Sequence, residues 1–119
     1  MSRKTPSRHW RDRAMDAIEA SEETRGFVQG MDFAAFQTDA RTMKAALANF
    51  AIIGEATAHI PQERLASHPE IPWVKVRATR NYIAHVYFGL DLKIIWNSIH
   101  DDLAPLENAL RDMLEQTDE

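Results

Sequence analysis

At 119 residues the chain has room for one hydrophobic core and not for two. Its 45% hydrophobic and 27% charged residues exclude a disordered or low-complexity polypeptide. It has no cysteine, which rules out disulfides, thiolate nucleophiles, iron–sulfur clusters and cysteine-ligated zinc. The net charge of -4 argues against tight non-specific binding to nucleic acid, although the two ends differ in sign. Arg3, Lys4, Arg8, Arg11 and Arg13 make the N-terminus basic, while Asp101, Asp102, Glu107, Asp112, Glu115, Asp118 and Glu119 make the C-terminal segment acidic.

A first helix is predicted from about Ser7 to Gly30, with Trp10, Ala14, Ala17 and Ile18 at helical spacing and Gly30 as the stop. Met31 to Thr38 reads as a short connecting turn or helix that drops Phe33 and Phe36 onto the core. The next long helix is capped by Thr38 or Asp39 and runs from Arg41 to His59. In it Met43, Leu47, Phe50, Ile53 and Ile60 recur at steps of three and four, the mark of a buried stripe. Gly54 costs this helix roughly 1 kcal/mol of propensity relative to Ala, so a packing reason for it is expected.

Pro61 to Pro72 is a polar connector with three prolines. A third long helix is predicted to begin near Ile71 or Pro72, to send Trp73, Val76, Tyr82 and Ile83 to the core, and to end near Gly89. Asp91 caps a last helix whose apolar residues Leu92, Ile95, Trp96, Ile99, Leu103, Leu106, Leu110 and Met113 follow a helical period. Pro105 should kink that helix or free a carbonyl near Asp101. The fold class is therefore all-α: an antiparallel up-and-down bundle of four main helices plus a short connecting helix, in one domain spanning residues 1–119. No run of eighteen apolar residues occurs, and the basic N-terminus lacks the apolar core of a secretory signal, so cytoplasmic residence is expected. The five histidines show no paired metal-ligand spacing, so neither a metal site nor a cofactor is expected.

The chemistry concentrates in RNYIAHVYFG, Arg80 to Gly89. Arg80 is a permanent cation, His85 can move a proton near neutral pH, and the Tyr87 phenol can accept a transferred group. Given the composition, an Arg with His at +5 and Tyr at +7 arises by chance roughly 0.007 times per chain, so coincidence explains the pattern poorly. Cleaving RNA without a metal requires deprotonating a 2′-hydroxyl, stabilising charge on the non-bridging oxygens and protonating the leaving oxygen. An imidazole suits either proton transfer, and a guanidinium matches the phosphoryl oxygens bidentately. On a regular helix Asn81 and His85 are neighbours one turn apart, Arg80 and Tyr87 share a stripe, and Arg80 and His85 diverge by about 140°. Long side-chain reach, a frayed helix end at Gly89 or apposition across a dimer would each bring Arg80 and His85 to one phosphate, and the dimer is the preferred solution. A purely structural role explains the same residues on chemistry alone, with Arg80 paired to a surface acid such as Glu55 and His85 capping the helix end.

RNYIAHVYFGLD resembles the R-x-x-x-x-H-x-Y signature of the HEPN superfamily in its HepT-like branch. NFAIIGEA (Asn49 to Ala56), HPEIPW (His68 to Trp73) and DLKIIWNSIHDDLAPL (Asp91 to Leu106) are similar to the family pattern in order and spacing. The likeness runs from the first helix to about Leu110. The basic first dozen residues and the last few acidic ones lie outside it. It implies a ribonuclease toxin of a type VII toxin–antitoxin pair, acting on RNA as a homodimer whose two motifs line one cleft. On this chain it implies Arg80 and His85 as the catalytic pair, with Asn81 and Glu55 in support. It also implies an MntA-like nucleotidyltransferase antitoxin that transfers AMP from ATP to Tyr87. A reading of another class makes the chain a non-catalytic helical partner that binds substrate for a minimal nucleotidyltransferase.

Overall fold

A computed structural model describes residues 9–85 and 91–116, with the backbone alone for Ala84 and His85. These residues form seven helices, α1 (Trp10–Phe27), α2 (Phe33–Gln37), α3 (Ala40–Thr57), α4 (Gln62–Ala66), α5 (Trp73–His85), α6 (Leu92–Asp101) and α7 (Leu103–Glu115). The long helices pack side by side in the order α5, α3, α1, α7, with α6 leading into α7. The apolar stripes meet between them. Ala14, Ala17, Phe36, Ala46, Leu65, Leu110 and Met113 are fully enclosed, and Ile53, Ile95, Ile99 and Leu103 nearly so. The expected all-α architecture is present, and each of the four predicted main helices has its counterpart.

Local chemistry sets the boundaries. Asp39 caps α3, its carboxylate accepting from the Thr42 amide at 3.0 Å and from the Thr42 hydroxyl at 2.8 Å. The Thr42 amide bond, then the hydroxyl bond, pull the Asp39 carboxyl below its usual range. Asp91 caps α6 through Lys93 N–H at 3.0 Å. The first helix ends at Phe27, three residues before the predicted stop. Gly30 instead takes a left-handed φ of 83° in the turn that leads to α2.

One expectation is corrected and another is met. The connector from Pro61 to Pro72 contains a helix, α4. Pro61 stands at its N-cap, where a missing amide costs nothing, and Leu65 is buried as its anchor. The interruption expected at Pro105 is present, with Asp102 as the one residue between two helices. Pro105 cannot donate to the Asp101 carbonyl, so α6 stops at Asp101 and α7 begins at Leu103, which leaves Pro105 in the first turn where proline is tolerated. Asp102 serves both helices: its amide donates to Ser98 O at 2.9 Å, and its carbonyl accepts from Leu106 N–H at 3.1 Å. Among the described residues, no helix is long and apolar enough to cross a membrane.

Candidate active site

The site begins at a glycine. A Cβ on Gly54 would lie 3.2 Å from Arg80 Cβ, 3.3 Å from the Val76 carbonyl and 3.4 Å from the Arg77 carbonyl. Its absence lets α5 settle against α3, and Arg80 stands at the point of closest approach. The packing reason expected for Gly54 is this contact.

Glu55 follows Gly54 and meets Arg80 across the crossing, with Arg80 Nη1 donating to Glu55 Oε1. Arg80 is 48% and Glu55 43% exposed, so the pair is solvated and contributes about 0–1 kcal/mol to stability. Such a pair fixes the direction of the guanidinium at little cost and leaves it open to exchange with another anion. Asn81, beside Arg80 on α5, is exposed.

His85 is the last described residue of α5, and the backbone is α-helical from Arg80 to it. The two Cα positions therefore diverge by about 140° around the axis, with no unwinding between them. The His85 side chain and the whole of Tyr87 lie outside the described residues, as does the predicted helix end near Gly89. Tyr82 lines an apolar groove between α5 and α6, together with Ile71, Val76, Ile94 and Leu103. Its hydroxyl accepts from Asp91 N–H at 3.3 Å and so ties α5 to the start of α6.

One neighbour was not anticipated. His59 lies one turn beyond Glu55, its Nδ1 2.9 Å from the Glu55 carbonyl oxygen and 3.7 Å from Glu55 Oε2. The spacing of Glu55 and His59 at i and i+4 on a predicted helix was the available signal. Among the described residues, no group of three or more His, Asp or Glu side chains is placed to hold a metal ion.

The described residues thus define an all-helical protein with an exposed arginine at a tight helix crossing and a histidine five residues on along the same helix. Comparison with known proteins makes the class specific. The model of the Ribonuclease HepT-like family matches residues 17–113, and the chain belongs to that family. It is 34% identical over 100 residues to "Probable ribonuclease HepT" of Thermococcus cleftensis, covering 84% of this chain and 91% of that protein. Two proteins described as "Putative RNase" are also similar. One, from Methanocaldococcus jannaschii, is 30% identical over 82% of this chain and 84% of its own length. The other, from Caldanaerobacter subterraneus, is 32% identical over 75% and 80%. No solved structure matches the chain.

Proposed function

We propose that this protein is a metal-independent endoribonuclease, the toxin of a toxin–antitoxin pair, acting on RNA in the cytoplasm. Arg80 and His85 are its catalytic residues. The observation that carries the reading is the position of Arg80: exposed, aimed by Glu55, and on the helix that also carries His85, in a member of a ribonuclease family. In the reaction the 2′-oxygen attacks the adjacent phosphorus and the bond to the 5′-oxygen breaks. The Arg80 guanidinium spans the non-bridging oxygens, where charge builds up, and stays ionised throughout. His85 moves the proton, either taking it from the 2′-hydroxyl or giving it to the leaving 5′-oxygen. Asn81, next to Arg80, supports the phosphate or the imidazole.

Because the Cα positions of Arg80 and His85 lie about 140° apart around one helix, the working site joins Arg80 of one protomer to His85 of a second in a homodimer. The exposed apolar side chains Val74 and Ile94, 71% and 51% exposed, support association along this flank. A nucleotidyltransferase antitoxin of the MntA kind switches the enzyme off by moving AMP from ATP to the Tyr87 hydroxyl. The added bulk and negative charge exclude the RNA phosphate.

Cleavage of RNA by purified, unmodified protein in EDTA tests the reading. Arg80→Ala and His85→Ala should each lower the rate by about 10²- to 10⁴-fold. Equal rates for wild type and both variants would remove the catalytic assignment. Incubation with the transferase and ATP should add one adenylyl mass, which Tyr87→Phe abolishes. Labelling at Tyr82 instead would overturn the role of Tyr87. One observation favours the non-catalytic alternative, in which the chain binds substrate for a nucleotidyltransferase: Arg80 already has Glu55 as its partner. In that case the protein is harmless when expressed alone, and the transferase needs it for activity.

A further inference from the structure

We infer that His59 is a positioning residue of this site: it receives the Glu55 carboxylate when an RNA phosphate takes Arg80, and RNA binding thereby draws a proton onto its ring. The inference rests on the ribonuclease reading and deepens it.

The starting point is a conflict of charge. The Arg80 guanidinium is engaged by Glu55 Oε1, so an arriving phosphate brings a second anion to the same cation. Two anions side by side repel unless one gains another positive neighbour. Glu55 has a candidate within reach, since Oε1 faces Arg80 while Oε2 lies 3.7 Å from His59 Nδ1. The carboxylate stands between a fixed cation on α5 and a titratable group on its own helix.

The tautomer of His59 follows from its closer contact. A carbonyl oxygen can only accept, so the 2.9 Å contact from Nδ1 to the Glu55 carbonyl requires the proton on Nδ1. Nε2 is then the nitrogen that titrates, and with the ring 46% exposed the solvent supplies the proton. His59 follows Ala58, the C-cap of α3. Among the described residues, the charged groups that face it are Glu55 on α3 and, through Glu55, Arg80 on α5. From α1, Glu23 goes instead to Asn49, nearly three turns earlier on α3.

The sign is fixed. Freeing Glu55 from Arg80 increases the pull of the carboxylate on His59, so RNA binding takes up protons. Affinity for RNA therefore falls as the pH rises through the range where imidazoles lose charge. His59 touches no reacting atom, so its effect lies in KM and not in kcat.

The experiment compares wild type, His59→Gln and His59→Lys. Binding of a single-stranded DNA oligonucleotide, which lacks the attacking 2′-hydroxyl, is measured by calorimetry in two buffers of different ionisation enthalpy. Cleavage of the matching RNA is followed from pH 5.5 to 8. His59→Gln should take up fewer protons than wild type and raise KM about two- to five-fold at pH 6, with kcat unchanged, and the two should converge at pH 8. His59→Lys should keep the low KM up to pH 8. Equal proton uptake and superimposed KM profiles in wild type and His59→Gln would overturn the role of His59 while leaving the ribonuclease intact. Failure of wild type to bind or cleave would overturn both.

Discussion

A single carboxylate joins α1 to α7. Glu107 is 1% exposed, yet all its charge is met: Arg25 Nε donates to Oε2 at 2.8 Å, Arg25 Nη2 to Oε1 at 2.6 Å, and the buried Ser21 hydroxyl to Oε2 at 2.5 Å. The hydrogen bond to Glu107 raises the pKa of Arg25, so this guanidinium stays charged at any pH the fold survives. Removing the carboxylate leaves the buried Ser21 hydroxyl only its longer contact to the Leu103 carbonyl, at 3.4 Å, whereas Arg25, 44% exposed, can return to water. Glu107→Ala should therefore destabilise the fold by about 2–3 kcal/mol in urea unfolding, below the usual cost of orphaning a fully buried partner. Glu107→Gln should lose less, because its amide oxygen can still accept from Arg25. A change within 0.5 kcal/mol for the alanine variant would mean that the clamp contributes little. The sequence did not disclose this role. Glu107 sits among six other acids, and only a neighbouring helix distinguishes a clamp from a solvated charge.

At the scale of elements, Gly54 and Gly26 are both helical glycines with opposite surroundings. A methyl group on Gly54 meets the α5 backbone at 3.3–3.4 Å and Arg80 Cβ at 3.2 Å, whereas nothing lies within 4 Å of one on Gly26. Gly26→Ala should stabilise the protein by about 0.5–1 kcal/mol through helix propensity and a less flexible unfolded chain. Gly54→Ala gains the same propensity but must push α5 outward by a few tenths of an ångström. Overpacking of this kind costs about 1–3 kcal/mol, so a net loss near 1 kcal/mol is expected, together with reduced RNA cleavage as Arg80 moves from Glu55. Thermal unfolding of the two variants checks the contrast, and stabilisation by both would show that the crossing is looser than its geometry. The helices themselves were legible because a buried stripe repeats at 3.6 residues. Leu47, Phe50 and Ile53 on α3, and Leu103, Leu106, Leu110 and Met113 on α7, are all buried as that period requires. Proline misled at Pro61, behind which α4 was hidden, whereas the interruption at Pro105 was legible. The motif around Arg80 could be read from spacing, and Gly54 could be flagged as anomalous in its helix. The engagement of Arg80 by Glu55, with His59 behind it, depends on two helices meeting and is written in neither alone.

For the whole molecule, the open side of α5 is the decisive feature. This helix rests chiefly on α3, with the apolar groove toward α6 on its other flank. Helical backbone through His85 keeps its Cα about 140° from that of Arg80 around the helix axis. A two-fold dimer of the kind proposed would give each site Arg80 from one subunit and His85 from the other. Mixing subunits makes the arrangement measurable. Arg80→Ala and His85→Ala proteins, each inactive alone, should recover about a quarter of wild-type cleavage after unfolding and refolding together in equal amounts. Half the dimers are then mixed, and one of the two sites in each holds both native residues. If each site were built within a single protomer, no mixed dimer would contain an intact pair and activity would stay at the level of the separate variants. Recovery near a quarter, lost when either variant also carries a substitution that keeps it monomeric, would establish that the catalytic unit is two chains and that α5 is the element they share.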